Sequence, residues 1–244
     1  MAEQPTIWLT RPREDSISFA NDLSAQSITS IIAPVLSIVR QPLPPLSLKH
    51  PAALLITSRH AAHALAELPP EWRRLPAYCV GSATAHAALQ YGLTHIIPGA
   101  RNALALMPRI TADIASGSEL LYLAGDETRT DVATLLGVNN IHVTTAIVYH
   151  AVAERALSDE IRSALSEQRI DAAAFFSPRS AEIACQVLQR NDLASAAAQM
   201  NAYCLSATVA QALRRLPWAN IHICPTPTRH AMRELIVSRE RKKG

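Results

Sequence analysis

Cys79-Val80-Gly81-Ser82-Ala83-Thr84 and Tyr203-Cys204-Leu205-Ser206-Ala207-Thr208 share one plan. In each, a short apolar run meets a turn and a Ser-Ala-Thr that opens onto a helix-forming stretch. The plan extends outward from both copies. Ala53-Leu54-Leu55-Ile56-Thr57-Ser58 stands before the first, and Ala172-Ala173-Ala174-Phe175-Phe176-Ser177 before the second. Pro98 follows the first and Pro225 the second. Strand, Ser/Thr turn and helix in alternation mark an α/β fold with parallel sheets. Its occurrence twice implies two halves of similar plan facing one cleft.

The remaining segments fit the same alternation. Thr6–Thr10 reads as a strand stopped by Arg11-Pro12, and residues 15–26 as a helix carrying Ile17, Phe19, Ala20 and Leu23. Ser30–Val39 reads as a second strand containing Pro34, followed by the stiff linker Gln41-Pro42-Leu43-Pro44-Pro45-Leu46-Ser47. An Ala-rich helix is expected from Ser58 to Leu68, a strand over Thr94–Ile97, and a helix over Asn102–Ser116 despite Pro108. Glu119–Leu123 reads as a strand, Arg129–Leu136 as a helix closed by Gly137, and His142–Tyr149 as a β-branched strand ending at Tyr149. Helices are expected over Asp159–Ser166 and from Arg229, with a strand at Ile221–Cys224 between them.

Composition removes several classes. Of 244 residues 49% are hydrophobic and 18% charged, which excludes disorder, collagen and coiled coil. No apolar run reaches the ~18 residues of a membrane span, and the N-terminus lacks a secretory signal. Cytoplasmic location with reduced thiols is expected for Cys79, Cys185, Cys204 and Cys224. None of them forms a CxxC or CxxH pair, so no metal site is expected. The net charge of +3 traces to Arg239-Glu240-Arg241-Lys242-Lys243, read as a solvated tail. Aromatics are 5%, too few for a base-stacking surface, so no nucleic-acid partner is expected. With seven glycines and no GxGxxG, a dinucleotide cofactor is not expected either.

The junctions carry the candidate chemistry. Ser58, Ser82, Ser177, Ser206 and Thr228 stand where strands give way to helices. Such turns hold carboxylates or phosphates on free amides and a positive dipole end. For any one of them a plain N-cap is the simpler role, and the number of such turns at strand C-termini is what points to a ligand. Arg11, Arg59, Arg129, Arg179 and Arg229 lie near the same ends and suit carboxylates. No GxSxG, CxxC or HExxH occurs. His63 sits among alanines, His86 and His150 are isolated, and Asp126-Glu127 read as surface or cap residues. Tyr149 falls at the recrossing between the halves, where a buried phenol can donate to a departing hydroxyl or simply pack a hinge.

Taken in order, these marks resemble the uroporphyrinogen-III synthase family over roughly Ile7–Val237. The residues that carry the resemblance are Leu9-Thr10-Arg11-Pro12, Ile56-Thr57-Ser58, Val80-Gly81-Ser82-Ala83-Thr84-Ala85 with Tyr91-Gly92, Gly125 with Arg129 and Leu135-Leu136-Gly137, Val148-Tyr149, Phe175-Phe176-Ser177-Pro178, and Pro225-Thr226-Pro227. The resemblance implies two Rossmann-like or flavodoxin-like parallel-sheet domains joined by a two-stranded hinge. Residues 1–38 with 154–244 would form one domain and 44–147 the other, with hinges at 39–43 and 148–153. It implies a monomeric, cofactor-free lyase of haem biosynthesis that cyclises hydroxymethylbilane, a linear tetrapyrrole with eight carboxylates, with inversion of ring D.

Tyr149 matches the tyrosine proposed to assist hydroxide loss in that family. Arg11, Ser58, Arg59, His60, Gly81, Ser82, Thr84, Gly125, Arg129, Ser177, Ser206, Thr208 and Thr228 match or adjoin its substrate-gripping turns. Two positions depart from the pattern: Leu205 stands where glycine is usual, and His60 where Asn or Arg is usual. The Leu205 departure leaves open an alternative, a non-catalytic two-domain module that binds or senses an acidic small molecule.

Overall fold

The structure, a computed structural model, describes residues 4–48, 50–97, 99, 102–128 and 130–240. Its strands are β1 (Thr6–Leu9), β2 (Thr29–Ile32), β3 (Leu36–Arg40), β4 (Ala53–Ile56), β5 (Ala77–Cys79), β6 (Ile96–Ile97), β7 (Glu119–Gly125), β8 (His142–Ala153), β9 (Ala172–Phe175), β10 (Asn201–Cys204) and β11 (Asn220–Ile223). Its α-helices are α1 (Arg13–Ser24), α2 (Gly81–Gln90), α3 (Met107–Asp113), α4 (Val132–Gly137), α5 (Asp159–Ser166), α6 (Pro178–Arg190), α7 (Ala207–Leu213) and α8 (Arg229–Glu240). The chain divides into two compact units, Met1–Ser37 with Val152–Gly244, and Ile38–Ala151. Both boundaries fall inside strands, β3 and β8, which are neighbours in one sheet.

The first unit holds a parallel sheet in the order β11-β10-β9-β1-β2. Period-2 alternation sorts its side chains onto two faces. Trp8, Ala173, Phe175 and Cys204 meet α5, α6 and α7. Ile7, Leu9, Ala174 and Tyr203 meet Phe19 and Leu23 of α1 and Met232 and Ile236 of α8. Trp8 donates its indole N–H to the Ala33 carbonyl at 2.7 Å, so its one polar atom is paired inside the core.

The second unit holds the order β3-β8-β7-β4-β5-β6, and the pairs from β4 through β8 are parallel. One face carries Leu54, Ile56, Cys79, Leu121 and Leu123 against Ala61, Leu65 and Ala88. The other carries Leu55, Tyr78, Leu120 and Tyr122 against Ile110, Val132 and Leu136.

The two sheets are one arrangement threaded in two ways. Spatial neighbours β11-β10-β9-β1-β2 correspond to β6-β5-β4-β7-β8, so the first unit is a circular permutation of the second. The correspondence reaches single bonds. Ile56 pairs with Cys79 as Phe175 pairs with Cys204. Tyr78 donates to Asp113 at the end of α3 at 3.1 Å, and Tyr203 donates to Glu240 at the end of α8. Glu240 also accepts from Asn201 at 3.1 Å and is buried, so the expected solvated tail is anchored up to that residue. Residues 241–243 of that tail lie outside the described residues.

Several expected boundaries move, each for a local reason. Ser30–Val39 is not one strand. Pro34, which has no N–H for a ladder, separates β2 from β3, and the two strands join different sheets. Pro108 does not lie within a longer helix but in the first turn of α3, where its missing donor costs nothing, and 3-10 turns at Leu104–Leu106 precede it. The Ala-rich run forms a 3-10 helix over Arg59–Ala66, a short piece stopped ahead of Pro69-Pro70. Helix α4 starts at Val132 because Asp131 caps it, accepting from the Thr134 N–H at 3.0 Å. Thr94–Ile97 shrinks to the two residues of β6, and β8 runs past Tyr149 to Ala153. The Pro-rich linker lies on the second unit: Gln41 donates to the Val148 carbonyl at 2.8 Å, Leu43 to Glu67 at 2.9 Å, and Leu48 is buried.

Candidate functional site

Open parallel sheets bind ligands where successive connections leave a sheet in opposite directions, at the strands' C-terminal ends. In the second unit that point lies between β4 and β7, and there a cavity of about 270 Å³ opens. Thr57, Ser58, Tyr122, Gly125 and Tyr149 line it, with Asn102, Glu127, Thr128 and Thr130. Ser58 accepts from the His60 N–H at 3.2 Å, capping the 3-10 helix, while its hydroxyl is hydrogen-bonded to Tyr149. Burial raises the Tyr149 pKa above the ordinary phenol value; the Ser58 bond opposes this and the charge of Asp126 adds to it. The phenol is therefore firmly protonated at neutral pH. The His60 ring stands edge-on to Tyr149 at 5.9 Å.

Behind this pair Tyr122 and Thr57 share a hydroxyl hydrogen bond of 2.9 Å. Burial also raises the Tyr122 pKa. The sequence offered Tyr122 only as a strand residue. Its signal was the strand itself, since a tyrosine three residues from the C-terminal end of a buried strand needs a partner for its hydroxyl. Asp126, expected as a surface or cap residue, is exposed and from the surface also holds β8. Its N–H donates to the Tyr149 carbonyl at 3.1 Å, and its carboxylate accepts from the Ala151 N–H at 3.2 Å and approaches His150 Nδ1 at 3.0 Å.

The first unit's switch point lies between β1 and β9. Thr10 donates to the Ala174 carbonyl at 2.7 Å and closes the end of β1. Arg11 follows it, ion-paired with Asp15 at 2.7 Å and lying 4.7 Å over the Phe176 ring. Burial, then the positive charge of Arg229, lowers the Arg11 pKa to about 10. A guanidinium short of water and facing another cation is stabilised by an incoming anion. Arg229 bonds Asp22 at 2.6 Å and Ser18 at 2.7 Å. Ser177 caps α6 by accepting from the Ser180 N–H at 3.1 Å.

The other expected residues divide by position. Ser206 caps α7 and bonds Thr208 at 2.9 Å, and Thr228 accepts from the Ala231 N–H at 3.1 Å. Ser82 caps nothing: α2 begins one residue before it, and Ser82 stands exposed in the first turn. Thr84 is buried within α2, and Arg59 is half-buried at the start of its 3-10 helix. Gly81 opens α2 at φ +76, a conformation few side chains adopt. Arg129 lies outside the described residues, as does Pro98 of the repeat.

The register corrects one reading of the sequence. Val80 donates to the Ile56 carbonyl at 3.0 Å, and Leu205 donates to the Phe175 carbonyl at 3.0 Å. Leu205 is therefore the counterpart of Val80, not of Gly81, and Tyr78-Cys79 matches Tyr203-Cys204. The alignment on Ser-Ala-Thr slipped by one residue, which would have sent Cys79 and Tyr203 to the same face although they point into opposite layers. Leu205 is not among the residues with positive φ, so the backbone conformation at that turn does not call for glycine.

Among the described residues no group of three His, Cys, Asp or Glu side chains is placed to hold a metal ion, and no helix is long and apolar enough to cross a membrane.

Fold and sites together define a class: two doubly wound α/β units whose switch points offer hydroxyls, a buried phenol and a partly desolvated guanidinium. A uroporphyrinogen-III synthetase from Helicobacter pylori has a similar fold, with a TM-score of 0.62 and 19% identity, over 97% of this chain and 99% of that one. A mutant uroporphyrinogen III synthase from the extremely thermophilic bacterium Thermus thermophilus matches with a TM-score of 0.56 and 14% identity, over 98% of this chain and all of that one. A search of curated protein sequences finds no match. The profile of the family described as uroporphyrinogen-III synthase HemD matches residues 18–234. The chain belongs to the uroporphyrinogen-III synthase family and is a lyase of tetrapyrrole biosynthesis.

Proposed function

We propose that the chain closes hydroxymethylbilane to uroporphyrinogen III with Tyr149 as proton donor. One observation carries this reading: the half-buried phenol of Tyr149, hydrogen-bonded to Ser58, lines a cavity at the second unit's switch point. Tyr149 Oη gives its proton to the substrate's terminal hydroxyl as the C–O bond breaks, and water leaves. The conjugated azafulvene that remains is attacked by the substituted carbon of ring D, and the resulting spiro intermediate reopens and recloses with ring D inverted. The proton lost when the last pyrrole regains aromaticity returns to the phenolate, so the enzyme ends as it began. Arg11 and Ser177 at the first unit's switch point suit carboxylates of the kind the substrate carries, and holding them constrains the chain toward inversion over direct closure. Membership of the uroporphyrinogen-III synthase family weighs against the alternative of a non-catalytic binder of an acidic small molecule.

Freshly prepared hydroxymethylbilane and product isomer analysis test this. The native chain is expected to give the type III isomer; type I alone, at the buffer rate, refutes the reading. Tyr149→Phe is expected to lower kcat about 100-fold with KM little changed, the loss typical of a removed general acid.

A further inference from the structure

We infer that Gly125 is a positioning residue for Tyr149: together with a bulge in β8 it forms the seat that holds the phenol in the cavity. This rests on Tyr149 being the proton donor. A Cβ built on Gly125 would lie 2.4 Å from Tyr149 Cζ, 2.6 Å from Cε2 and 2.8 Å from Oη. Real side chains do not approach so closely, so the ring lies across the bare Cα. Gly125 has no positive φ that would demand glycine for the backbone's sake. The space a side chain would take is thus the reason for glycine here. The resemblance implied that Gly125 grips substrate; the geometry gives it work on the catalytic side chain instead.

The bulge supplies the other half. Leu123 pairs with Ala146 and Ala124 with Ile147, but Gly125 pairs with Tyr149, so β8 gains a residue at that step. Ala146 and Val148 face the core beneath the 59–66 helix, and Ile147 faces the opposite core. Strict alternation would send Tyr149 after Ile147. The extra residue turns it onto the face of Val148, where Ser58 and His60 stand. The Asp126 bonds to Tyr149 and Ala151 then fix the strand just beyond the bulge.

The test compares Gly125→Ala, Tyr149→Phe and the double variant by steady-state kinetics, and follows the Tyr149 ring by NMR of tyrosine labelled at Cζ. Gly125→Ala is expected to shift the Tyr149 resonance and to bring kcat within about threefold of Tyr149→Phe, with the double variant no slower than Tyr149→Phe alone. An unmoved resonance, or a double variant whose losses multiply, overturns the inference. Should Tyr149→Phe keep native kcat, the proton-donor role is what fails, and the seat stands or falls on the resonance. If Gly125→Ala lowers the melting temperature, placing it on a Tyr149→Ala background, where the clash is gone, is expected to abolish that loss; a loss that persists there also overturns the inference.

Discussion

Alkali should weaken the first unit more steeply than the second. All four cysteines are free and buried, and burial raises each thiol: Cys79, Cys185 and Cys224 to about 11, and Cys204, with Cys224 beside it, to about 12, against 9.0 for an ordinary thiol. The folded values lie above the unfolded ones, so this contribution is complete below pH 9 and disappears as pH climbs toward 11 or 12. At pH 10 a thiol that ionises only on unfolding costs about 1.4 kcal/mol of stability. Cys185, Cys204 and Cys224 belong to the first unit and Cys79 to the second. From the thiols alone the first unit should therefore lose about 4 kcal/mol between neutrality and pH 10 and the second about 1.4 kcal/mol, with the phenols that burial raises in both units adding to the loss. Against the 5–15 kcal/mol typical of a domain, roughly 4 kcal/mol is decisive.

Urea unfolding followed by tryptophan fluorescence separates the units, because Trp8 and Trp218 lie in the first and Trp72 in the second. Trp72→Phe reports the first unit, and Trp8→Phe with Trp218→Phe reports the second. Removing one thiol, in Cys204→Ala, should flatten the first unit's pH slope by about one proton's worth, near 1.4 kcal/mol per pH unit. Equal slopes for both units, or stability unchanged between pH 8 and 10, would refute the reasoning.

Two substitutions test turn geometry. Leu205→Gly is expected to lower stability, since Leu205 packs against both layers of the first unit, and to leave kcat no higher; a faster enzyme would mean that the turn needed glycine after all. Gly81→Ala, at φ +76 with open space around it, is expected to cost about 1–2 kcal/mol from backbone strain alone, and a denaturation midpoint equal to the native one would contradict this.

Much of the fold was legible because strands in parallel sheets are buried on both faces and read as unbroken apolar runs such as Ala53–Ile56 and Ala172–Phe175. The strand-end turns were legible for a related reason: Ser58, Ser177 and Ser206 are N-caps, and caps have a strong residue preference. What escaped depended on distant partners. Pro34 inside an apolar run marks a break only once β2 and β3 are seen to pair with different strands. The one-residue slip at Leu205 was invisible because Ser-Ala-Thr matches better in letters than Tyr-Cys does, while the ladder follows Tyr-Cys. The bulge that aims Tyr149 leaves no local mark, since Val148-Tyr149 reads equally well in regular alternation. Tyr122 stayed hidden because its partner Thr57 lies just past the end of another strand, β4.

The permuted threading of the first sheet sets an order of birth. Strands β1 and β2 leave the ribosome early, yet β1's other neighbour, β9, is more than 150 residues away, and the Thr6 N–H waits for the carboxylate of Asp171. Meanwhile the second unit, continuous from Ile38 to Ala151, has every strand it needs. It completes its sheet first, while Ile7 and Leu9 remain without the strand that covers one edge of β1. Translation speed through the middle of the chain therefore governs how long the most apolar part of the N-terminus stays uncovered, a window in which chaperones and aggregation compete for it.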